Sequence, residues 1–182
     1  MEIDISKVCL ETKRLILRSF RTHDLDDLYN YAHVEGVGEW AGWSPHKSLQ
    51  ESREILDIFI KDKNNFALCY KSENQVIGSL GLTPFTGEEV RDLDGVEIGY
   101  ALAKDYWGQG LTTEAVEEVL TYLFDNLDLD YAVIRVFQYN KRSIRVAEKS
   151  GFTKLKTIMH VNYWGEEKEM DIYILYNPNY DI

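Results

Sequence analysis

The chain has 182 residues, of which 45% are hydrophobic and 28% charged, and a formal net charge of -11. Such a composition fits a globular protein with an ordinary apolar core, and the length fits one domain over residues 1–182 that needs no metal or disulfide staple. The acidic balance repels phosphate backbones and so argues against a nucleic-acid partner; it suits plain solubility or the attraction of a cationic amine or basic protein tail. The two cysteines, Cys9 and Cys69, stand far apart and read as buried free thiols. His23, His33, His46 and His160 are scattered without metal-ligand spacing, so no metal is expected. The opening MEIDISKVCLETKR has no apolar leader core, and no stretch approaches the ~20 apolar residues of a membrane helix. A cytoplasmic protein with no membrane partner is the expectation.

Along the chain, Arg14–Phe20 is a short β-prone run. Asp24–His33 places Leu25, Leu28, Tyr29 and Ala32 on one helical face. Ser48 and Glu51 have capping-box spacing before a second helix reaching Lys61, with Leu49, Leu56, Phe59 and Ile60 on its apolar side. The period then changes to two: Phe66–Tyr70 and Val76–Leu82 read as strands joined by a turn over Lys71–Gln75. An acidic loop, Gly87–Gly95, leads to a strand over Gly95–Leu102. Thr113–Phe124 is an amphipathic helix with Val116, Val119, Leu120, Leu123 and Phe124 inward. Tyr131–Phe137 is nearly all apolar, as a central strand would be. A short helix spans Ser143–Ser150, with Gly151 at the position past its end that favours glycine. Strands over Phe152–Tyr163 and Lys168–Tyr176, turning near Gly165, finish the chain. This order predicts an α+β, or mixed α/β, layer built on a largely antiparallel twisted sheet flanked by helices.

Between a strand and a helix lies Tyr106-Trp107-Gly108-Gln109-Gly110-Leu111-Thr112-Thr113-Glu114. Glycines there let a ligand approach the backbone, and the free N–H groups of the following helix suit a phosphate or pyrophosphate. A glycine turn capped by Thr112 or Thr113 explains the same local pattern. The segment lacks the Gly-Lys-Ser/Thr ending of a nucleotide triphosphate loop. It also lacks the third glycine and βαβ setting of a dinucleotide fingerprint.

Val96-Glu97-Ile98-Gly99-Tyr100-Ala101-Leu102, followed by Ala103-Lys104-Asp105-Tyr106 and Trp107-Gly108-Gln109-Gly110, resembles the acetyl-CoA motif of the GNAT N-acetyltransferase superfamily. The likeness is to its RimJ/RimL-type branch. Glu11-Thr12-Lys13-Arg14-Leu15-Ile16-Leu17-Arg18 resembles that branch's first strand, and Asn140-Lys141-Arg142-Ser143 with Glu148-Lys149-Ser150-Gly151-Phe152 its late motif. Three motifs in order cover almost the whole chain. Where the superfamily's loop commonly begins with Arg or Gln and ends with Gly or Ala, this chain holds Trp107 and Thr112.

The resemblance implies direct acetyl transfer from acetyl-CoA to an amine, without a covalent enzyme intermediate. It implies that the backbone of Tyr100, Ala101 and Leu102 pairs with the pantetheine arm. Trp107, Gly108, Gln109, Gly110, Leu111, Thr112 and Thr113 would cradle the pyrophosphate, with Asn140 and Ser143 contacting the cofactor. Glu97 is the leading general base; otherwise it is a solvent-facing residue or the charge partner of an arginine. Ser143, or else Tyr139, would protonate the departing thiolate, and Ser143 also fits a helix N-cap. Lys141, Arg142 and Arg145 oppose the dipole at their helix start, which either a CoA phosphate or solvent relieves. Trp40, Trp43 and Trp164 fit an aromatic acceptor wall or core packing, and His160 is a further candidate base. The acceptor is a protein N-terminus or a small amine such as a polyamine or aminoglycoside. A homodimer is the commonest assembly for such a protein. The alternative is a module of the same fold that binds or senses CoA without turnover.

Overall fold

A computed structural model describes residues 3–179. Eight strands form one sheet: β1 (Cys9–Glu11), β2 (Leu15–Ser19), β3 (Asn65–Tyr70), β4 (Gln75–Pro84), β5 (Gly95–Leu102), β6 (Tyr131–Phe137), β7 (Thr153–Val161) and β8 (Glu167–Tyr176), in the order β1-β2-β3-β4-β5-β6-β8-β7. Four α-helices cover it: α1 (Leu25–Ala32), α2 (Leu49–Asp62), α3 (Leu111–Thr121) and α4 (Lys141–Lys149). Every neighbouring pair runs antiparallel except β5 and β6, so the largely antiparallel sheet read from the sequence is the one observed.

Alternation along the strands divides the core into two faces. Phe66, Leu68, Val96, Ile98, Ile134 and Val136 pack with α3 and α4, whereas Ala67, Cys69, Val76 and Ala101 pack with α1 and α2. A third cluster, Tyr131, Val133, Ile172 and Ile174, takes the other sides of β6 and β8. β6 is therefore buried on both faces, which explains its nearly unbroken apolar run.

The helix ends depart from the sequence expectations in instructive ways. Ser48 does cap α2, its hydroxyl accepting from the Glu51 N–H at 3.2 Å, but the Glu51 carboxylate reaches past the box to the Lys47 N–H at 2.6 Å. Leu49, expected on the apolar side of α2, is exposed; Leu56 alone of the four is fully buried. α3 begins two residues before Thr113, with Gly110 in the left-handed region (φ 79°) as its N-cap, so neither Thr112 nor Thr113 caps it. α3 also loosens into a π-type turn over Tyr122–Asn126, closed by Leu127 N–H to the Tyr122 carbonyl at 3.2 Å. Leu123 and Phe124 are still buried there. α4 starts at Lys141, not Ser143, because the Asn140 side chain caps it by accepting the Ser143 N–H at 3.3 Å. Gly151 sits past its end at φ 87° as expected. β1 is an addition, a three-residue edge strand; it leaves Cys9 exposed, against expectation, while Cys69 is buried and burial pushes its thiol up.

Candidate active site

The parallel pair β5 and β6 is joined only at its start. Gly95, Val96 and Glu97 pair with Tyr131, Ala132 and Val133, and then the strands part. β5 runs on to Leu102 and β6 to Phe137, each still paired on its far side, with β4 and β8 respectively. The inner edge of Ile98–Leu102 is thus a row of backbone groups without a strand partner, open to an extended ligand with amide groups of its own. A cleft of about 500 Å³ fills the fork and is lined by both strands, by Gly108 and Gly110–Thr113 and by α4.

Glycine makes the cradle at one end of this cleft. Gly108 and Gly110 both have positive φ (76° and 79°), a conformation that costs other residues about 1 kcal/mol or more. Trp107 anchors the loop, its indole N–H donating to the Leu102 carbonyl at 2.7 Å. Glu114 in the first turn of α3 holds the loop from behind. Its carboxylate accepts from Thr12 Oγ1 (2.5 Å), Arg14 N–H (2.8 Å) and Arg14 Nε (2.7 Å), while Arg14 Nη1 donates to the Gln109 carbonyl at 2.9 Å. Burial alone would push the Glu114 carboxyl up; these hydrogen bonds and the Arg14 charge outweigh it and hold the group below its ordinary value.

The chain is acidic, but the cleft is not. Its lining contains Arg135, Arg142, Arg145 and Lys149 against one carboxylate, Glu97. Arg142, Arg145 and Lys149 lie at helical spacing on one face of α4. None of the three has a carboxylate within 4.0 Å among the described residues. Lys141, expected with them, does not line the cleft, and Lys149 takes its place. Three uncompensated cations beside a glycine cradle and a helix N-terminus form a site for a multiply phosphorylated ligand.

Strand alternation sends the remaining groups to opposite mouths of the fork. Tyr100 points with Ile98 and Leu102 toward α4, where its hydroxyl lies 2.6 Å from Ser143 Oγ. Burial pushes the Tyr100 hydroxyl up to about 12, so it stays protonated at neutral pH. Glu97 points the other way, at the last paired rung, and its Oε2 lies 2.7 Å from Arg135 Nη2. Trp40 and His160 line this second mouth. Trp40 packs against Tyr139 (5.5 Å between rings), which stacks on Phe137 (5.2 Å), and Trp164 meets Trp40 edge-on at 6.3 Å. Trp43 instead packs over Gly38 and beside His46, within the α1–α2 cluster.

Of the residues singled out from sequence, Glu97, Tyr100, Ala101, Leu102, Trp107, Gly108, Gly110, Leu111, Thr112, Thr113, Asn140 and Ser143 all line this cleft. Gln109 does not; its side chain turns back to the Asp105 carbonyl at 3.0 Å. Sequence reasoning overlooked Arg135, the lone charge in the apolar run of β6, and the side chain of Tyr100.

Residues 14–153 match the acetyltransferase (GNAT) domain family. The uncharacterized N-acetyltransferase p20 of Bacillus licheniformis is 29% identical over 150 residues, which span 80% of this chain and 82% of that protein. The ribosomal-protein-S5-alanine acetyltransferase of Vibrio fischeri superposes with a TM-score of 0.76 at 19% identity, over 96% of this chain and all of the other (100%). The spermidine N-acetyltransferase of Vibrio cholerae, solved with CoA and spermine, superposes with a TM-score of 0.74 at 19% identity, over 90% of this chain and 96% of that one. The fold is thus shared with proteins of low sequence identity, and with residues 14–153 matched the chain belongs to the GNAT acetyltransferase family.

Proposed function

We propose that residues 1–182 act as a single cytoplasmic acetyltransferase domain of the RimJ/RimL-like branch, moving an acetyl group directly from acetyl-CoA to a primary amine. The observation that carries this reading is the fork: a free β5 edge leads from a basic, glycine-cradled end to a point flanked by Ser143 on one face and Glu97 on the other. The phosphates fit Gly108–Thr113 and the α4 cations, and the pantetheine amides fit the backbone of Tyr100–Leu102, beside Asn140.

In this arrangement Glu97, whose Oε2 pairs with Arg135 Nη2, accepts one proton from the ammonium form of the amine. The amine nitrogen then bonds to the carbonyl carbon as the carbon–sulfur bond breaks, and backbone N–H groups on the β5 edge receive the developing negative oxygen. Ser143 gives its hydroxyl proton to the leaving sulfur and regains one from the new amide nitrogen, which sheds its second proton as the carbon–sulfur bond breaks. Tyr100, hydrogen-bonded to Ser143 Oγ, stabilises the negative charge that develops there in between.

The test is CoA release from acetyl-CoA with and without added amine. Amine-dependent release, lowered about a hundredfold or more in kcat/KM by Glu97→Gln, is the expected result. Binding of acetyl-CoA with no release for any amine favours the non-catalytic CoA-binding module instead.

A further inference from the structure

We propose that the acceptor is a monoamine: one primary amine on an aromatic or apolar body, with no second positive charge. The proposal rests on the acetyltransferase reading above and concerns what the second mouth of its cleft selects.

That mouth is walled by flat and apolar side chains. Val37, Trp40, Phe137, Tyr163 and Met170 line it, and the Trp40, Tyr139 and Phe137 rings form a continuous surface with centroids 5.2–5.5 Å apart. Such a wall gains by covering an apolar body. Its charges point the same way. Glu97 is the one carboxylate in the lining, and Arg135 already pairs with it at 2.7 Å.

Two acidic side chains that neighbour lining residues in the chain, Glu39 beside Trp40 and Asp171 beside Met170, are engaged elsewhere. The Glu39 carboxylate is buried and accepts the Gly36 N–H at 2.7 Å. Asp171 accepts from Gln138 (2.9 Å) and Thr157 (2.7 Å) and pairs with Lys154 (2.8 Å). A second cation on Trp40 would meet the Arg142 guanidinium, which stacks on Trp107 at 4.0 Å and lies 5.5 Å from the Trp40 ring centre.

A polyamine brings at least two ammonium groups. One would meet Glu97. Each of the others would lie on the ring wall beside the Arg135 and Arg142 guanidiniums, unpaired and partly desolvated. A monoamine loses its only charge when it is deprotonated for attack, and its body covers the rings.

The experiment compares kcat/KM at saturating acetyl-CoA for 2-phenylethylamine, tryptamine, a lysine-free peptide amide beginning Phe-Ala, putrescine and spermidine. The aromatic monoamines are expected to exceed both polyamines at least a hundredfold, and the peptide arm shows whether a chain end or a free small molecule is preferred. Trp40→Ala is expected to lower kcat/KM for 2-phenylethylamine at least tenfold without moving KM for acetyl-CoA, and Trp40→Phe, which keeps a flat ring, to restore most of it. Spermidine turned over as well as or better than the aromatic amines overturns the proposal and leaves the acetyltransferase reading standing. Absence of amine-dependent CoA release with every acceptor overturns both.

Discussion

Replacing Ser143 by alanine lowers kcat about a hundredfold, with KM for acetyl-CoA nearly unchanged, if the hydroxyl is the proton donor to the leaving thiolate. The expectation is specific because Ser143 has little structural work to do. The cap of α4 is the Asn140 side chain, and Ser143 contributes to it only through its backbone N–H. A helix that loses this hydroxyl therefore keeps its start, and the melting temperature should move little. Tyr100→Phe removes the partner 2.6 Å from Ser143 Oγ and should cost about tenfold in kcat. Since Tyr100 is argued to act through Ser143, the two losses should not multiply: the double variant should be no slower than Ser143→Ala alone. Independent, multiplying effects would assign Tyr100 a separate role at the fork.

Glu114→Ala carries the second large effect, on both stability and cofactor affinity. The substitution strips the hydrogen-bond acceptor from Thr12 Oγ1 and from the backbone and guanidinium of Arg14, 2.5–2.8 Å away. Losing these charge-assisted bonds in a half-buried setting should cost about 2–3 kcal/mol. For a chain of this size that lowers the melting temperature by about 4–12 °C. Because Arg14 also holds the Gln109 carbonyl, KM for acetyl-CoA should rise, which a purely structural tie remote from the loop would not produce. The pH dependence follows from the direction of the shift. The Glu114 carboxyl is held below its ordinary value of 4.5, so its contribution is fully present above that value and fades as pH falls through the lower folded-state value. Thermal melts of wild type and Glu114→Gln should thus differ by a constant amount at neutral pH and converge below about 4.5.

Elements whose identity depends on local pattern were legible in the sequence. β5 and β6 occupy the residues expected of them, Gly95–Leu102 and Tyr131–Phe137, because each is a β-prone run bounded by turn residues. The start of α3 was misjudged because threonines signal a cap, whereas the chain uses a left-handed glycine with no side-chain cap. The start of α4 differs for the converse reason, the Asn140 side chain capping the helix three residues ahead of its expected first residue, Ser143. β1 carries no periodic signal; it has three residues, all outside the buried core, and exists only because β2 offers an edge.

At the site, the glycine cradle and the late motif could be read because both are contiguous. The pairs Glu97–Arg135 and Tyr100–Ser143 could not, since each joins residues from different elements, the latter 43 positions apart. The charge of the cleft could be read in part. Arg142 and Arg145 stand out at the start of their helix even in a chain of net charge -11, whereas Arg135 and Lys149 join them only when α4 folds against the fork.

The central claim, that the fork between β5 and β6 holds acetyl-CoA, is tested most directly by thermal melting with acetyl-CoA on wild type and on an Arg145→Glu/Lys149→Glu variant. A ligand at about a hundred times its dissociation constant stabilises the native state by roughly 2.7 kcal/mol, several degrees for this chain. Wild type should show that rise, and reversing two of the unpaired α4 cations should abolish most of it at the same ligand concentration. No shift of the wild-type melt at saturating acetyl-CoA, or an equal shift in the charge-reversed variant, would contradict that claim.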